Sequence, residues 1–186
     1  VDTAGNTQPL QTWTLATWPD GSVKWSGHAV PPGTQPQAGW KLQAGRAPAA
    51  APAAAPVLRV DETAETCVID TGVIRCTIAR RGAVLIPRIE RGGVEILRGG
   101  RLVAVSDDQG ALDAGLPGEA ALTTRHTRWH GEVEQLTIEQ RGPLRAVVRV
   151  SGRHRRGGDE RAWLPFDLRL YLHAGGDAVQ IGRAHV

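Results

Sequence analysis

A tryptophan, an aspartate and a lysine lie close together in the stretch WPDGSVKW, residues 18–25. Trp18 offers an aromatic face on which a sugar ring can stack, Asp20 can accept hydrogen bonds, and Lys24 carries a cation. We therefore take Trp18, Asp20 and Lys24 as the candidate substrate-binding residues, with a sugar as the ligand. The alternative is a cation–π contact without any ligand, worth about 0.5–1 kcal/mol at an exposed site.

The same stretch predicts a tight turn between two strands. Pro19, Asp20 and Gly21 match the x-P-D-G pattern, in which each residue has a separate role. Proline pre-sets φ, aspartate can bond the backbone two residues further on, and glycine tolerates a positive φ. The flanking segments are therefore expected to pair as a hairpin.

The register of this hairpin assigns different environments to its two tryptophans. A type I turn with a glycine bulge places Leu15 opposite Trp25 and leaves Trp18 on the other face, near Lys24. We therefore expect Trp25 to be buried and Trp18 to be exposed.

Histidines and acids of types that bind metals occur at spacings that match no metal motif. His126 and His130 are four residues apart, but there is no HExxH motif and no third ligand, whereas zinc sites need three or four. The loop at 106–119 could offer oxygen ligands to calcium, but its spacing fits no EF-hand. Its acids are Asp107, Asp108, Asp113 and Glu119. We predict no metal and no cofactor.

Signatures of several catalytic classes are missing from the sequence. It contains no P-loop, no G-x-G-x-x-G and no G-x-S-x-G elbow. Tyr171, a candidate base by residue type, falls in an alternating strand pattern, so we interpret it as a packing residue. We therefore assign no catalytic residue.

Arginine supplies nearly all of the positive charge, since Lys24 and Lys41 are the only lysines and the formal net charge is +3. The planar guanidinium suits carboxylates and phosphates, which permits an acidic polysaccharide or a nucleic acid. The alternative is that the arginines lie on solvated faces of strands and bind no partner. Binding of single-stranded nucleic acid needs aromatic residues interleaved with the charge, and Trp129 and Trp163 lie outside the arginine runs. We therefore predict no nucleic acid as a partner. We also predict no membrane, because no run is apolar enough to span a bilayer.

The two cysteines lie in CVIDTGVIRC. If Thr71-Gly72 is a two-residue hairpin loop, Cys67 lies directly opposite Cys76 in a non-hydrogen-bonded pair. A disulfide between them could then form in an oxidising compartment. The alternative is two small buried thiols, the usual state of a free cysteine.

The elements that must position these residues are strands. Apolar residues recur at every second position through 144–150 and 166–172, a period typical of strands with one buried face. No stretch has helical periodicity over three turns. Two antiparallel sheets packed face to face are therefore expected.

Composition divides the chain. Residues 1–45 read as short strands, RAPAAAPAAAP at 46–56 predicts an extended linker, and 57–180 reads as a second β-domain. The last six residues, IGRAHV at 181–186, match what a common sequencing adapter encodes. We therefore expect the sequence to be that of the natural protein only as far as about Gln180. Since the chain also lacks methionine, we expect it to be a fragment. The alternative is a genuine terminus.

Segments that resemble a known protein family lie in both halves of the chain. LQTWTLATWPDGSVKWSGHAV resembles the N-terminal RIFT-barrel domain of the PcRGLX/YetA-like family of exo-acting polysaccharide lyases, which includes exo-rhamnogalacturonan lyases. IDTGVIRCTIARRGAVLIPRIERGG, EQRGPLRAVVRVSGRH and LPFDLRLYLHAGGDAVQI are similar to the central β-sandwich of that family. The resemblance covers most of residues 8–181. It implies an all-β fold, a partial small RIFT-like β-barrel followed by an antiparallel β-sandwich.

The resemblance also implies a function for the parent protein. In such proteins a helical (α/α)-toroid domain follows and holds the catalytic centre, so no catalytic residue is carried over to this chain. The implied reaction is β-elimination at a uronic acid of a pectic polymer such as rhamnogalacturonan. A base removes the proton beside the carboxylate-bearing carbon, a cation neutralises the carboxylate, and an acid assists the leaving oxygen.

We therefore expect this chain to be the non-catalytic, β-rich portion of a secreted or periplasmic lyase, inactive on its own. Its expected partners are an acidic polysaccharide and the missing C-terminal helical domain. It would brace that domain or line its substrate groove. The alternative is a stand-alone carbohydrate-binding or structural β-module without catalysis.

Overall fold

The computed structural model describes residues 10–31, 41–42, 58–109, 124–156 and 162–182. Within these ranges all regular secondary structure is β-strand. One two-stranded hairpin and two five-stranded antiparallel sheets result. The strands are β1 (Gln11–Thr17), β2 (Val23–Ala29), β3 (Arg59–Glu62), β4 (Thr66–Asp70), β5 (Ile74–Ala79), β6 (Ile86–Arg91), β7 (Val94–Gly100), β8 (Val103–Gln109), β9 (Thr124–Arg141), β10 (Arg145–Arg155), β11 (Ala162–His173) and β12 (Gln180–Ile181).

The first five-stranded sheet is a simple meander from β3 to β7. Along β4 and β5 every second side chain is buried, as the pleat of a strand with one covered face requires. The β6–β7 connection is a two-residue loop, Gly92-Gly93, with φ of 57° and 79°. A type I′ turn matches the twist of the flanking strands and needs a positive φ at both central positions, which explains the paired glycines.

The second sheet is the meander from β8 to β12. Ala146, Val148 and Val150 of β10 are fully buried, and so are Leu170 and Leu172 of β11. The predicted alternation through both segments is confirmed. Val147 is an exception.

Alternation assigns Val147 to the outer face of the sheet, yet only 2% of its side chain is exposed. Its direct cross-strand neighbours are Gln140 and Tyr171, and large side chains on both sides can cover a small one between them.

The two sheets share one hydrophobic core. Backbone hydrogen bonds also join them: Gly82 and Val133 exchange N–H···O contacts of 3.0 and 2.8 Å. At another point lies Thr71, which is fully buried. Its carbonyl accepts a hydrogen bond from the Gly175 N–H at 2.7 Å, and its hydroxyl donates to the Gly176 carbonyl at 2.7 Å. The architecture is therefore the β-sandwich that the sequence predicts, and the all-β class is confirmed.

The N-terminal hairpin is held to the sandwich by the side-chain amide of Gln11. Its Nε2 donates to the Arg145 carbonyl at 2.9 Å, and its Oε1 accepts from the N–H groups of Leu144 at 2.9 Å and Arg145 at 2.7 Å. A Cβ at Gly142 would overlap this amide. The β9–β10 corner therefore needs glycine at position 142 to admit the glutamine.

Beside this contact, the Arg145 guanidinium lies between two aromatic rings. Its central carbon is 4.3 Å from the ring centroid of Trp13 and 4.9 Å from that of Tyr171. Gly27 lies opposite Trp13 in the hairpin, and Gly182 lies against Tyr171; a Cβ at either would overlap the ring. The stack joins one residue of the hairpin to two of the sandwich.

Parts of the predicted organisation lie outside the described residues. These are the linker at 46–56 and residues 183–186 of the predicted tail. Of that tail, Ile181 pairs with Leu170. The described part of the chain contains no helix of the length and apolarity needed to cross a membrane.

The predicted register of the two cysteines is wrong. Cys67 lies opposite Ile78, and Cys76 lies opposite Ile69. The reason is that the turn spans Thr71–Ile74, closed by a hydrogen bond of 2.9 Å between its first N–H and its last carbonyl. The centre of the turn is therefore Gly72-Val73, one residue later than predicted, which shifts the register by two positions, so the cysteines are diagonal neighbours.

Both cysteines are free thiols with no exposed surface. This agrees with the alternative of two buried thiols, while a disulfide between them stays a prediction. Burial raises the pKa of the Cys67 thiol to about 11 and that of Cys76 to about 12, because the thiolate would lose its hydration.

We expect neither thiol to react with a disulfide reagent at mildly alkaline pH while the protein is folded, because both are covered and protonated. Both should react after denaturation without reductant, and Cys67→Ser should halve that signal. A denatured protein that releases thiols only after reduction would contradict the free-thiol state.

Gln11→Ala should lower the free energy of unfolding by about 2 kcal/mol, because backbone N–H groups in the β9–β10 corner lose their acceptor. Denaturant unfolding of the chain measures this effect. Thr14→Ala, on an exposed position of the same strand, is the matched control. Equal stability of the two variants would show that the amide contributes nothing to the docking.

Candidate functional site

The hairpin tip forms the turn that its residue types predict. The Trp18 N–H donates to the Ser22 carbonyl at 2.8 Å, and the Gly21 N–H donates to the Trp18 carbonyl at 2.9 Å. Gly21 has a φ of 84°, in the left-handed region that favours glycine. Asp20 Oδ1 accepts the Ser22 N–H at 2.9 Å and the Ser22 hydroxyl at 2.7 Å. The predicted bond from Asp20 to the backbone two residues on is confirmed.

Trp18 and Lys24 meet at this tip. The Lys24 ammonium nitrogen lies 4.2 Å from the centroid of the Trp18 ring, within the range of a cation–π contact. Trp18 is 51% exposed. The predicted exposure of Trp18 and its nearness to Lys24 are confirmed. A role in substrate binding stays a prediction.

The prediction that Trp25 is buried is wrong. Trp25 is 63% exposed, and a register shift places Ala16, rather than Leu15, opposite it. The hairpin contacts the sandwich through Gln11 and Trp13 at its other end. Within the described residues the tip end extends beyond that contact, so alternation there does not produce a buried face.

The environment of Asp20 decides what its carboxylate can do. The hydrogen bond from the Ser22 hydroxyl, followed by that from the Ser22 N–H, lowers the pKa of Asp20. A carboxylate held ionised in this way is a poor proton acceptor near neutral pH. The tip therefore presents an aromatic face, a cation and a fixed acceptor, a combination that suits binding better than proton transfer.

A serine, a histidine and a threonine form a hydroxyl–imidazole cluster on the same hairpin. The Ser26 hydroxyl lies 3.0 Å from His28 Nε2, and the Thr12 hydroxyl lies 3.0 Å from His28 Nδ1. A catalytic triad has a carboxylate at the second ring nitrogen, whereas here a hydroxyl takes that place. All three side chains are exposed, so the cluster lacks the enclosure that activates a nucleophile.

Sequence reasoning missed this cluster because Thr12 is distant from His28 in the chain. The signal that could have found it is the register of the hairpin, in which Thr12 lies opposite His28.

The histidines weighed as metal ligands do not converge. His126 Nδ1 lies 2.6 Å from Asp107 Oδ1 across β8 and β9, and both side chains are exposed. His130 lies further along β9. Among the residues that the structure describes, no group of three or more His, Cys, Asp or Glu side chains could hold a metal ion. Asp113 and Glu119 lie outside those residues.

A shallow cleft of about 360 Å³ lies where the β4–β5 and β6–β7 turns approach each other. Asp70, Arg75 and Glu90 line it, and the register places Arg75 opposite both acids on neighbouring strands. Opposite charges that face each other across strands stabilise a sheet. We interpret the three residues as a cross-strand charge ladder rather than an acid–base pair.

Comparison with known families matches the two halves of the chain separately. Residues 1–45, which include the hairpin, match the PcRGLX-like N-terminal RIFT barrel domain. Residues 58–185, which include both five-stranded sheets, match the PcRGLX-like protein central beta sandwich domain.

A curated relative extends this similarity across both halves. The uncharacterized protein YetA of Bacillus subtilis (strain 168) is 32% identical over 179 residues, which is 96% of this chain. The aligned part is 20% of YetA, so the chain spans about a fifth of the length of the curated relative it matches.

Asp20 provides a direct test of the turn. Because its pKa is lower in the folded hairpin than in the unfolded chain, the carboxylate stabilises the fold above the unfolded pKa, and this contribution is lost as the pH falls through the folded pKa. We expect Ser22→Ala to raise the pKa of Asp20 towards its ordinary value.

An NMR titration of the Asp20 carboxyl carbon measures this change, with Ser26→Ala as the control on the same hairpin. An ordinary pKa for Asp20 in the unmodified protein would show that the turn does not hold the carboxylate as described.

Proposed function

This chain belongs to the PcRGLX-like family, as its sequence resemblance predicts, and from that membership we propose that it is the non-catalytic β-rich portion of an exo-acting polysaccharide lyase. The substrate of the parent enzyme is a uronic-acid-containing pectic polymer such as rhamnogalacturonan. Such a polymer lies outside the cell, so the parent protein is secreted or periplasmic.

The match of two consecutive domains carries this proposal. A single small β-barrel or sandwich supports many functions, because fold alone does not set activity. The order of a RIFT barrel and a central sandwich along one chain is a more specific feature. The proposed partner of these domains is the C-terminal helical domain in which the catalytic centre of such proteins is expected.

The hairpin tip is a part of the described structure that suits contact with the polymer. Apolar faces of a sugar ring can stack on the exposed indole of Trp18, and the Lys24 ammonium can attract the carboxylate of a uronic acid. Asp20 offers a fixed acceptor for sugar hydroxyls. These three residues form the proposed wall of the substrate groove.

β-Elimination needs a base near the proton to be removed, a cation at the carboxylate and an acid at the leaving oxygen. At the hairpin tip Lys24 could serve only the second of these roles, and Asp20 has a lowered pKa. The chemistry is therefore assigned to the helical domain, while this chain binds and braces.

A stand-alone carbohydrate-binding module is the second candidate. The observation that favours it is the exposure of Trp18 and Lys24 in the chain by itself. It expects the isolated chain to bind an acidic glycan, and it differs from the first candidate in assigning no catalysis to the parent protein.

In a relative that carries both this hairpin and a helical domain, the variant equivalent to Trp18→Ala should raise KM about fivefold with kcat unchanged. The reason is that stacking worth roughly 1 kcal/mol contributes equally to the bound substrate and the transition state. The ultraviolet absorbance of the unsaturated uronate product measures both constants.

Trp25→Ala is the matched control, because Trp25 is exposed on the same hairpin and makes no cation–π contact within the part of the chain that the structure describes. An unchanged KM in a folded Trp18 variant would leave the tip with a structural role only. Absence of lyase activity in the unmodified relative would overturn the parent function itself.

A further inference from the structure

Two tryptophans of the second sheet meet at a place that the hairpin does not reach. Trp129 comes from β9 and Trp163 from β11, the two strands that flank β10. Their ring centroids are 4.9 Å apart, with a tilt of 46° between the ring planes. Trp163 is 39% exposed. The two rings therefore pack against each other and leave part of Trp163 exposed; we call this pair the tryptophan shelf.

Trp129 makes a hydrogen bond, and the residue opposite Trp163 is buried and packed. The Trp129 indole N–H donates to the Ser106 hydroxyl at 3.3 Å. His154, opposite Trp163 in the register, is 4% exposed; its Nδ1 lies 2.8 Å from the Leu164 carbonyl, and its ring packs edge-on against Phe166.

An arginine lies at the same end of the sheet. Arg156 directly follows β10, two residues after His154, and is exposed. It makes no hydrogen bond or ion pair with any other residue that the structure describes. Eight other arginines are paired with acids: Arg80, Arg88, Arg91, Arg98, Arg141, Arg149, Arg155 and Arg169.

We propose that Trp129, Trp163 and Arg156 form a second glycan-binding site that takes a uronic-acid residue of an acidic polysaccharide. The sugar ring stacks on the exposed Trp163, and its carboxylate pairs with the Arg156 guanidinium, whose planar fork matches two oxygens. The polysaccharide class rests on the proposed function, whereas the location rests on the geometry of the shelf.

The arrangement favours a single carboxylate over a nucleic acid. A strand of nucleic acid is held by a groove of several cations that follows its phosphates, with aromatic residues in between. The shelf combines two adjoining indoles with one arginine, so its charge matches one acidic sugar. Binding of an oligonucleotide is therefore an outcome that the test must include.

The test is calorimetric titration of this chain with an oligogalacturonate. Trp18→Ala is introduced first, so that the proposed hairpin site does not contribute. In that background binding should persist, and Arg156→Gln should weaken it about tenfold, the range of a charge-assisted hydrogen bond. Arg153→Gln is the control, because Arg153 is also exposed but falls on the opposite face of β10.

Trp163→Ala should weaken binding to a similar degree, and a neutral dextran should not bind. If Trp163→Ala does not fold, the exposed Arg156 decides the result. Equal binding by the Arg156 and Arg153 variants would overturn the proposal, as would tighter binding of single-stranded DNA than of oligogalacturonate.

The outcomes separate this site from the hairpin. Loss of all binding on Trp18→Ala alone would support the hairpin site and overturn the shelf, leaving the tryptophan pair as a cap on the end of the core. Binding that survives Trp18→Ala and falls with Arg156→Gln would support the shelf alone. An unmodified chain that binds no oligogalacturonate overturns the shelf but leaves the lyase activity of the parent to its own kinetic test.

Discussion

The docking of Gln11 into the β9–β10 corner is the contact on which the arrangement of the described structure depends. One side-chain amide satisfies backbone groups of Leu144 and Arg145 in both directions, as a neighbouring strand would. It requires glycine at 142, and the Arg145 stack reinforces it. Because hydrogen bonds are directional, this contact also orients the hairpin and therefore the tip that carries Trp18.

Local features of the sequence were sufficient to predict much of this structure. Alternating apolar residues predict the long strands β10 and β11 because the side-chain period of a strand is two. The residues Pro19-Asp20-Gly21 predict the turn because each has a conformational role within it. From that turn follow the exposure of Trp18 and its contact with Lys24.

Features set by register and tertiary contact could not be predicted in the same way. The turn at Thr71–Ile74 is centred one residue later than its residues suggest, which moves Cys67 away from Cys76. Exposure of Trp25 depends on which end of the hairpin contacts the sandwich. Trp129 and Trp163 meet across β10 although they are distant in sequence. Neither residue by itself indicates a site.

At the hairpin tip an indole and a cation lie together, and the proposed shelf site combines the same two kinds of group. This supports a glycan-holding role for the chain. The most direct measurement is an NMR titration of the indole N–H signals with oligogalacturonate. The account predicts that the Trp18 signal shifts while that of Trp25 stays in place. Unchanged signals, or a Trp25 shift as large as that of Trp18, would contradict it.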